Sequence, residues 1–255
     1  MDELAGPLRY IAFAAPDSPQ TLSEDQLSRI GVHLLPWSSH EAYTFPHGSP
    51  SPGTLYVLNP VEPSTYLPAS TFHPSVFEHK LCEATRLASS LGAEQITIRR
   101  RGGWRKDILP GLNETLMEVI PSISSSAPDS YERMENVVFS VVTHPIQMQH
   151  LPSNLLWYES EHHWKMLAEA RIKFGLRHFT SHPATGKKDT SFHVRYTDDG
   201  GVTEDLIRGA KKAGLAIGST FRPFTSTTWS VDVIFGQNPQ ELTINPGAGV
   251  GHTPY

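Results

Sequence analysis

The sequence predicts an α+β protein that has one mixed β-sheet, three main helices and a pair of antiparallel strands near the C-terminus. Three stretches repeat apolar residues at helical spacing, and a glycine ends each of them, as at many helix C-termini. Short apolar or alternating runs between these stretches are typical of strands. With 255 residues, 38% of them hydrophobic, the chain can bury a core without disulfides or metals.

The N-terminal part of the chain is expected to contain only short strands. Residues 1–74 hold 11 of the 21 prolines, and proline fixes φ and removes a backbone donor. Brief strands are predicted over 8–15 and 32–35, and a clearer strand over 55–58. The predicted organisation has three parts: a proline-rich N-terminal segment packed on the core (1–74), a main α+β domain (75–236) and a loose C-terminal tail (237–255).

The first main helix is predicted over 76–91. Ser75 and Glu78 are spaced as a capping box at its start, and Gly92 is the residue expected to end it. The apolar side chains that share its core-facing side are Phe77, Leu81, Ala84, Ala88 and Leu91. An alternating strand follows this helix, so residues 55–100 have the outline of a strand–helix–strand unit.

Two further helices and the remaining strands follow the same patterns. The second main helix is predicted over 156–174, and the third over 204–213, where Thr203 can cap the first turn. In the second helix the residues expected to face the core are Leu156, His163, Leu167, Ala170 and Phe174. The strands predicted in this half are a buried one over 134–143, a half-buried one over 192–196, and the terminal antiparallel pair over 216–224 and 228–236.

Composition excludes several classes of protein. The formal net charge is −5, whereas a dedicated nucleic-acid binder would normally show a basic field over a whole domain, so nucleic acid is not expected as a partner. No apolar stretch approaches the ~20 residues of a membrane helix, and no membrane partner is expected. The single cysteine, Cys82, and the acidic N-terminal residues favour a soluble, cytoplasmic protein.

One strongly charged cluster suggests a binding site. It follows the strand after the first main helix and consists of Arg99, Arg100, Arg101, Trp104, Arg105 and Lys106. Cations beside an indole can hold a phosphate or carboxylate group, or stack on a base. The alternative is a strand end whose arginines pair with glutamates elsewhere and have no ligand. Reversal of Arg99 and Arg101 to glutamate distinguishes the two. At a binding site it should weaken the binding of an acidic ligand and barely change the melting temperature, whereas a large loss of stability would show that the arginines are structural.

A second cluster suggests acid–base chemistry. Glu159 and His163 are four residues apart, which would place them on one face of the second main helix, and His162 lies beside them. A carboxylate at this spacing can orient an imidazole for proton transfer. The alternative is an amphipathic helix in which Trp157 and Trp164 pack in the core, His163 is a hydrogen-bonded core residue and Glu159 faces water.

The sequence therefore supports two hypotheses. The first is a ligand-binding or interaction protein whose arginine cluster accepts a small anionic ligand or a protein partner. The second is a small-molecule enzyme in which Glu159, His162 and His163 provide general acid–base catalysis. No metal site is expected, because the zinc-helix pattern of two histidines at i and i+4 around a glutamate is absent. No cofactor is expected, because the sequence has neither a phosphate loop nor a dinucleotide-binding fingerprint before a helix.

Overall fold

The computed structural model describes residues 7–14, 24–46, 48–104, 109, 111–119, 137–142, 151–174, 190–197, 201–223 and 226–235. The predicted α+β class is confirmed, because these residues form helices together with two four-stranded sheets. The predicted loose tail over 237–255 lies outside the described residues, as do Arg105 and Lys106.

The first sheet is mixed and is built from the N-terminal segment. Its strands are β1 (Tyr10–Phe13), β2 (Val32–Leu35), β3 (Tyr56–Leu58) and β4 (Tyr66–Pro68), in the order β2-β1-β3-β4. β1 and β2 are parallel, and the short helix α1 (Glu24–Arg29) lies between them in the chain. The other two pairs are antiparallel. In the described part of the chain, the parallel crossover unit is therefore β1–α1–β2.

The second sheet is antiparallel throughout. Its strands are β5 (Ala93–Gly102), β6 (Val137–Val142), β7 (Thr190–Tyr196) and β8 (Thr227–Phe235), in the order β6-β5-β8-β7. Where one sheet was expected, the strands divide between two. The strand–helix–strand unit predicted over 55–100 is wrong, because β3 and β5 belong to different sheets.

All three predicted main helices are present as helices, and the described residues form two further α-helices that were not predicted. The longer helices are α2 (Phe72–Ser90), α3 (Leu112–Val119), α4 (His162–Phe174) and α5 (Glu204–Lys212). Thr203 caps α5 as predicted, since its hydroxyl accepts from the backbone N–H of Leu206 at 3.1 Å. The described part of the chain contains no helix that is long and apolar enough to cross a membrane.

α2 begins four residues earlier than predicted. Pro74 lies in its first turn, where a missing backbone N–H costs no intrahelical hydrogen bond. The predicted capping box is wrong, because Ser75 lies inside the helix, and the Glu78 carboxylate instead accepts from the Thr115 hydroxyl at 2.9 Å. The end of the helix is as predicted, with Gly92 in the left-handed region at φ 84°.

One hydrophobic core connects the two sheets. The apolar face of the second sheet packs on α2, where the rings of Phe77 and Trp229 are 5.2 Å apart and edge-to-face. Ala12, Leu27 and Val57 of the N-terminal segment belong to the same core. The opposite face of the first sheet carries a separate aromatic cluster, formed by Ile11, Phe13, Tyr56 and Tyr66 with Trp37, Tyr43 and Phe45 packed against it.

The C-terminal strand is confirmed, but its partners differ from the prediction. β8 is antiparallel to both β5 and β7. The described residues of the predicted strand over 216–224 form only an isolated bridge from Ala216 to Thr54. Their apolar side chains, Leu215 before them and Ile217 and Phe221 within them, are buried in the core. Burial, and not sheet pairing, explains the apolar pattern there.

Candidate functional site

The second sheet has a polar face that points away from α2. On β8 the side chains of Trp229, Val231 and Val233 face the core, so Thr228, Ser230 and Asp232 face the other side. On β7 the inward residues are Phe192, Val194 and Tyr196, and the outward ones are Ser191, His193 and Arg195. We call the side chains that point away from α2 the outer face. They are Thr228, Ser230 and Asp232 of β8, Ser191, His193 and Arg195 of β7, and Thr97, Arg99 and Arg101 of β5.

Strand register arranges the outer face in rows. Thr97, Asp232 and Ser191 form one row across β5, β8 and β7. Arg99, Ser230 and His193 form the next. Thr228 and Arg195 are opposite each other in the third, where the register of β5 shifts between Arg100 and Gly102. Arg101 is the extra residue of this bulge, and such a bulge re-aims a side chain.

Arg99 is the structural member of the arginine cluster. Its Nε lies 2.7 Å from Oδ2 of Asp232 on the neighbouring strand, and the two side chains are 35% and 18% exposed. Reversal of Arg99 to glutamate would place two carboxylates side by side, so this substitution would change stability as well as binding. Arg99 is therefore a poor residue with which to test for a ligand.

Arg101 and Arg100 take different positions. Arg101 is exposed, and its Nε donates to the hydroxyl of the fully buried Ser230 at 3.1 Å. Its guanidinium therefore lies over β8. Arg100 is half-buried, and its Nη1 is 3.5 Å from the carbonyl oxygen of Gly103.

Trp104 belongs to the core and not to the outer face. It is only 8% exposed, and its ring lies 6.1 Å from that of Phe77 and 6.0 Å from that of Tyr196. Its backbone N–H donates to the Thr227 hydroxyl, and its carbonyl oxygen accepts from Trp229 Nε1. The structure thus separates the indole from Arg99 and Arg101, with which the sequence groups it.

Arg195 is the residue of the outer face that the sequence analysis missed. It is exposed on β7, opposite Thr228 and on the far side of β8 from Arg101. Its backbone is held by Lys80 of α2, whose Nζ donates to the Arg195 carbonyl oxygen at 2.7 Å. The alternation of β7 could have placed Arg195 outward, but only the sheet order brings it near Arg101.

Charged residues of α2 hold the segment that precedes α4. Lys80, Glu83 and Arg86 follow one another at intervals of three residues along α2, and we call them the docking residues. Glu83 is only 4% exposed, and its carboxylate accepts from three successive backbone N–H groups, those of Leu156 (2.7 Å), Trp157 (2.7 Å) and Tyr158 (2.9 Å).

The other two docking residues contact the same segment. Arg86 donates to the carbonyl oxygen of Asn154 at 2.8 Å. Lys80 is 6% exposed, pairs with the Glu161 carboxylate and lies 4.8 Å from the ring centroid of Trp157. Because Lys80 also binds the Arg195 carbonyl oxygen, the docked segment and the end of β7 share one anchor.

α4 starts later than predicted, because a 3-10 turn and an extended residue take the place of its predicted first turn. Residues 158–160 form a short 3-10 helix, and Glu161 then has extended backbone angles, φ −101° and ψ 90°. The Glu83 carboxylate accepts from the backbone N–H groups of 156–158, which lead into this 3-10 turn, and the extended Glu161 separates the turn from the α-helix. α4 begins at His162 instead.

Glu159, His162 and His163 are exposed. Glu159 is in the 3-10 helix and His163 in α4, so they do not share the helix face on which the predicted spacing depends. The Glu159 carboxylate pairs with Lys165 at 2.7 Å, and the rings of His162 and His163 are 6.1 Å apart. The expectation that His163 packs in the core is wrong, since Trp164 takes that place. A catalytic role for these residues stays a prediction.

The exposure of His163 predicts a small effect of its replacement. His163→Gln should change the free energy of unfolding by less than about 0.5 kcal/mol, because substitutions at exposed sites without a buried partner have effects of that size. Urea denaturation followed by tryptophan fluorescence would measure the change. Trp164→Ala, at the fully buried neighbouring position, should cost about 3–5 kcal/mol in the same assay. A comparable loss for His163→Gln would contradict the exposed position.

Cys82 has no features of a nucleophile. It is buried within α2, and burial, with a smaller effect of the nearby Glu78 carboxylate, raises the pKa of its thiol to about 12. The thiolate that nucleophilic chemistry requires is therefore disfavoured. Among the described residues, no group of three histidine, cysteine, aspartate or glutamate side chains is arranged to hold a metal ion.

Fold and site together define an α+β protein with two four-stranded sheets and a polar outer face that carries arginines on both sides of its central strand β8. No protein-family model, curated protein or solved structure significantly matches this chain.

Proposed function

We propose that this protein binds an anionic ligand at the end of the outer face where β5 and β7 finish and β8 begins. We call this region the cationic end, and it comprises Arg101, Arg195 and Thr228. The observation that supports the proposal is the placement of two exposed arginines on the strands that flank β8. Exposed guanidinium groups on one rigid sheet are suited to bind an anion with charge-assisted hydrogen bonds.

The distribution of acids favours this end of the sheet. The one carboxylate among the described outer-face side chains, that of Asp232, lies at the other end and pairs with Arg99. Among the described residues no acid forms an ion pair with Arg101 or Arg195, and Arg101 uses one N–H to bind the neutral hydroxyl of Ser230. The positive charge of the cationic end is thus not balanced by its described neighbours, whereas that of Arg99 is.

The test is a titration with inorganic sulfate, followed by amide chemical shifts at an ionic strength of about 0.01 M, where the Debye length is about 30 Å. Arg101→Glu should weaken binding at least about tenfold, since reversal replaces a donor to the anion by a repelling charge. Arg208→Glu is the matched control, because it changes the net charge equally at an exposed position on α5. It should weaken binding less than about twofold.

The same variants separate binding from stability. Arg101→Glu should change the free energy of unfolding by no more than about 1–2 kcal/mol, the cost of leaving the buried Ser230 hydroxyl without its donor. Equal weakening by Arg101→Glu and Arg208→Glu would mean that sulfate responds to net charge alone. That result would refute a site at the cationic end.

A further inference from the structure

We infer that the anion bound at the cationic end is the dianionic phosphate group of a monoester, held between Arg101 and Arg195 above Thr228. This inference rests on the proposed function and adds the chemical class of the ligand. It follows from three properties of the site: the reach of the two arginines, their combined charge, and the hydroxyl between them.

The two arginines can reach one common ligand. Arg195 is directly opposite Thr228, and neighbouring strands are about 4.8 Å apart. The Arg101 guanidinium already lies over β8, with its Nε on the Ser230 hydroxyl two residues from Thr228. Diagonal neighbours on a sheet face are about 7–8 Å apart, which is within the reach of a long side chain. The space above Thr228 is therefore accessible to both guanidinium groups from opposite sides.

The charge and shape of a phosphate group suit this arrangement. A phosphate monoester carries a charge of about −2 at neutral pH and presents three acceptor oxygens in different directions. Two guanidinium groups on opposite sides can each donate to a different pair of those oxygens. A carboxylate carries one charge and two coplanar oxygens, so a single arginine satisfies it. The half-buried Thr228 supplies a hydroxyl that can donate to the remaining oxygen.

The neighbouring titratable groups affect binding in a known direction. On the outer face these are Arg99, Asp232 and His193, and Asp232 is paired with Arg99. A change in the charge of the protein between two pH values would affect the binding of every anion at this end in the same direction. Protonation of a phosphate monoester, with a second pKa of about 6, would weaken its own binding as the pH falls. Sulfate stays a dianion over this range, so it reports the effect of the protein's charge alone, and the ratio of the two affinities isolates the charge of the ester.

The experiment measures the affinity of the protein for phenyl phosphate, benzoate and inorganic sulfate at pH 5 and pH 7.5, from the changes in amide chemical shifts during titration. The dianion fraction of a monoester rises about tenfold over this range, because its second pKa is about 6. The ratio of phenyl phosphate affinity to sulfate affinity should therefore be about five to ten times larger at pH 7.5 than at pH 5. Benzoate, which has the same ring, should bind at least about tenfold more weakly than phenyl phosphate at pH 7.5.

Two conservative variants test the contacts. Arg195→Lys keeps the charge but removes the planar fork of donors. It should weaken phenyl phosphate binding about threefold to tenfold and have little effect on the unfolding temperature of the protein without ligand. Thr228→Val keeps the shape but removes the hydroxyl, and it should weaken binding about fivefold, the equivalent of one hydrogen bond. Thermal unfolding of both variants verifies that they are folded.

The outcomes distinguish this inference from the proposed function. If benzoate binds as tightly as phenyl phosphate, or if the ratio of phenyl phosphate to sulfate affinity is unchanged between the two pH values, the ligand is not a phosphate monoester, although an anion site remains. If neither dianion binds in a manner that depends on Arg101, the proposed function fails together with the inference.

Discussion

Replacement of Glu83 by alanine is expected to lower the free energy of unfolding by about 3–5 kcal/mol. Glu83 is a buried carboxylate that accepts from three consecutive backbone N–H groups at 2.7–2.9 Å. Its removal leaves those donors without their acceptor in a poorly solvated environment. Each such donor costs about 1–3 kcal/mol when it is buried, and less when water can reach it.

Glu83→Gln is the informative second variant. Its amide oxygen can accept from at most part of the three N–H groups, and its NH₂ group faces donors, so a loss of about 2–3 kcal/mol is expected. The control is Glu169→Gln, at an exposed position whose carboxylate is 3.7 Å from Lys173, and it should cost less than about 0.5 kcal/mol. Urea denaturation would compare the three variants. Similar losses for Glu83→Gln and Glu169→Gln would contradict the docking role.

Gly103→Ala is expected to destabilise the protein by about 2–4 kcal/mol. Gly103 has a φ of 83°, which is strained for any residue with a side chain. A Cβ atom built there would lie 2.5 Å from Thr227 Oγ1 and 2.6 Å from Thr227 Cα. The second distance is to backbone at the start of β8, which cannot move without disturbing the pairing of β5 and β8.

The neighbouring glycine provides the matched control. Gly102 has no positive φ, and a Cβ built there meets no atom within 4 Å. Gly102→Ala should therefore change stability by less than about 1 kcal/mol. Thermal unfolding of both variants would measure the difference. If the two alanine variants unfold at the same temperature, the turn after β5 does not have the close approach to Thr227 that the structure shows.

Local patterns were sufficient to predict the three main helices, though not all of their boundaries, and several strands. Thr203 and the acids that follow it predict the start of α5, because capping depends on residues that are adjacent in the chain. The same holds for the end of α2 at Gly92. The start of α4 was misplaced because residues 158–160 form a 3-10 turn and Glu161 is extended, in a segment that is held by Glu83, more than 70 residues away in sequence. No local pattern contains that information.

The candidate site was predicted only in part. The arginines of β5 were recognisable as consecutive cations, but Arg195 is isolated in sequence and joins them through strand order alone. Conversely, Trp104 is close to these arginines in sequence and lies in the core. The spacing of Glu159 and His163 suggested a pair, but the extended backbone at Glu161 places them on separate helices.

By itself the sequence determined the α+β class, the three main helices, the glycine that ends α2 and the alternation that makes one face of β7 polar. Each of these depends on residues within a few positions of one another, so periodicity and capping are enough. Only the tertiary structure decided that the strands form two sheets, that Glu83 anchors the segment before α4, and that Arg101 and Arg195 flank β8. These features depend on pairing between distant segments, and that pairing is selected by the burial of a shared core, which no single segment specifies.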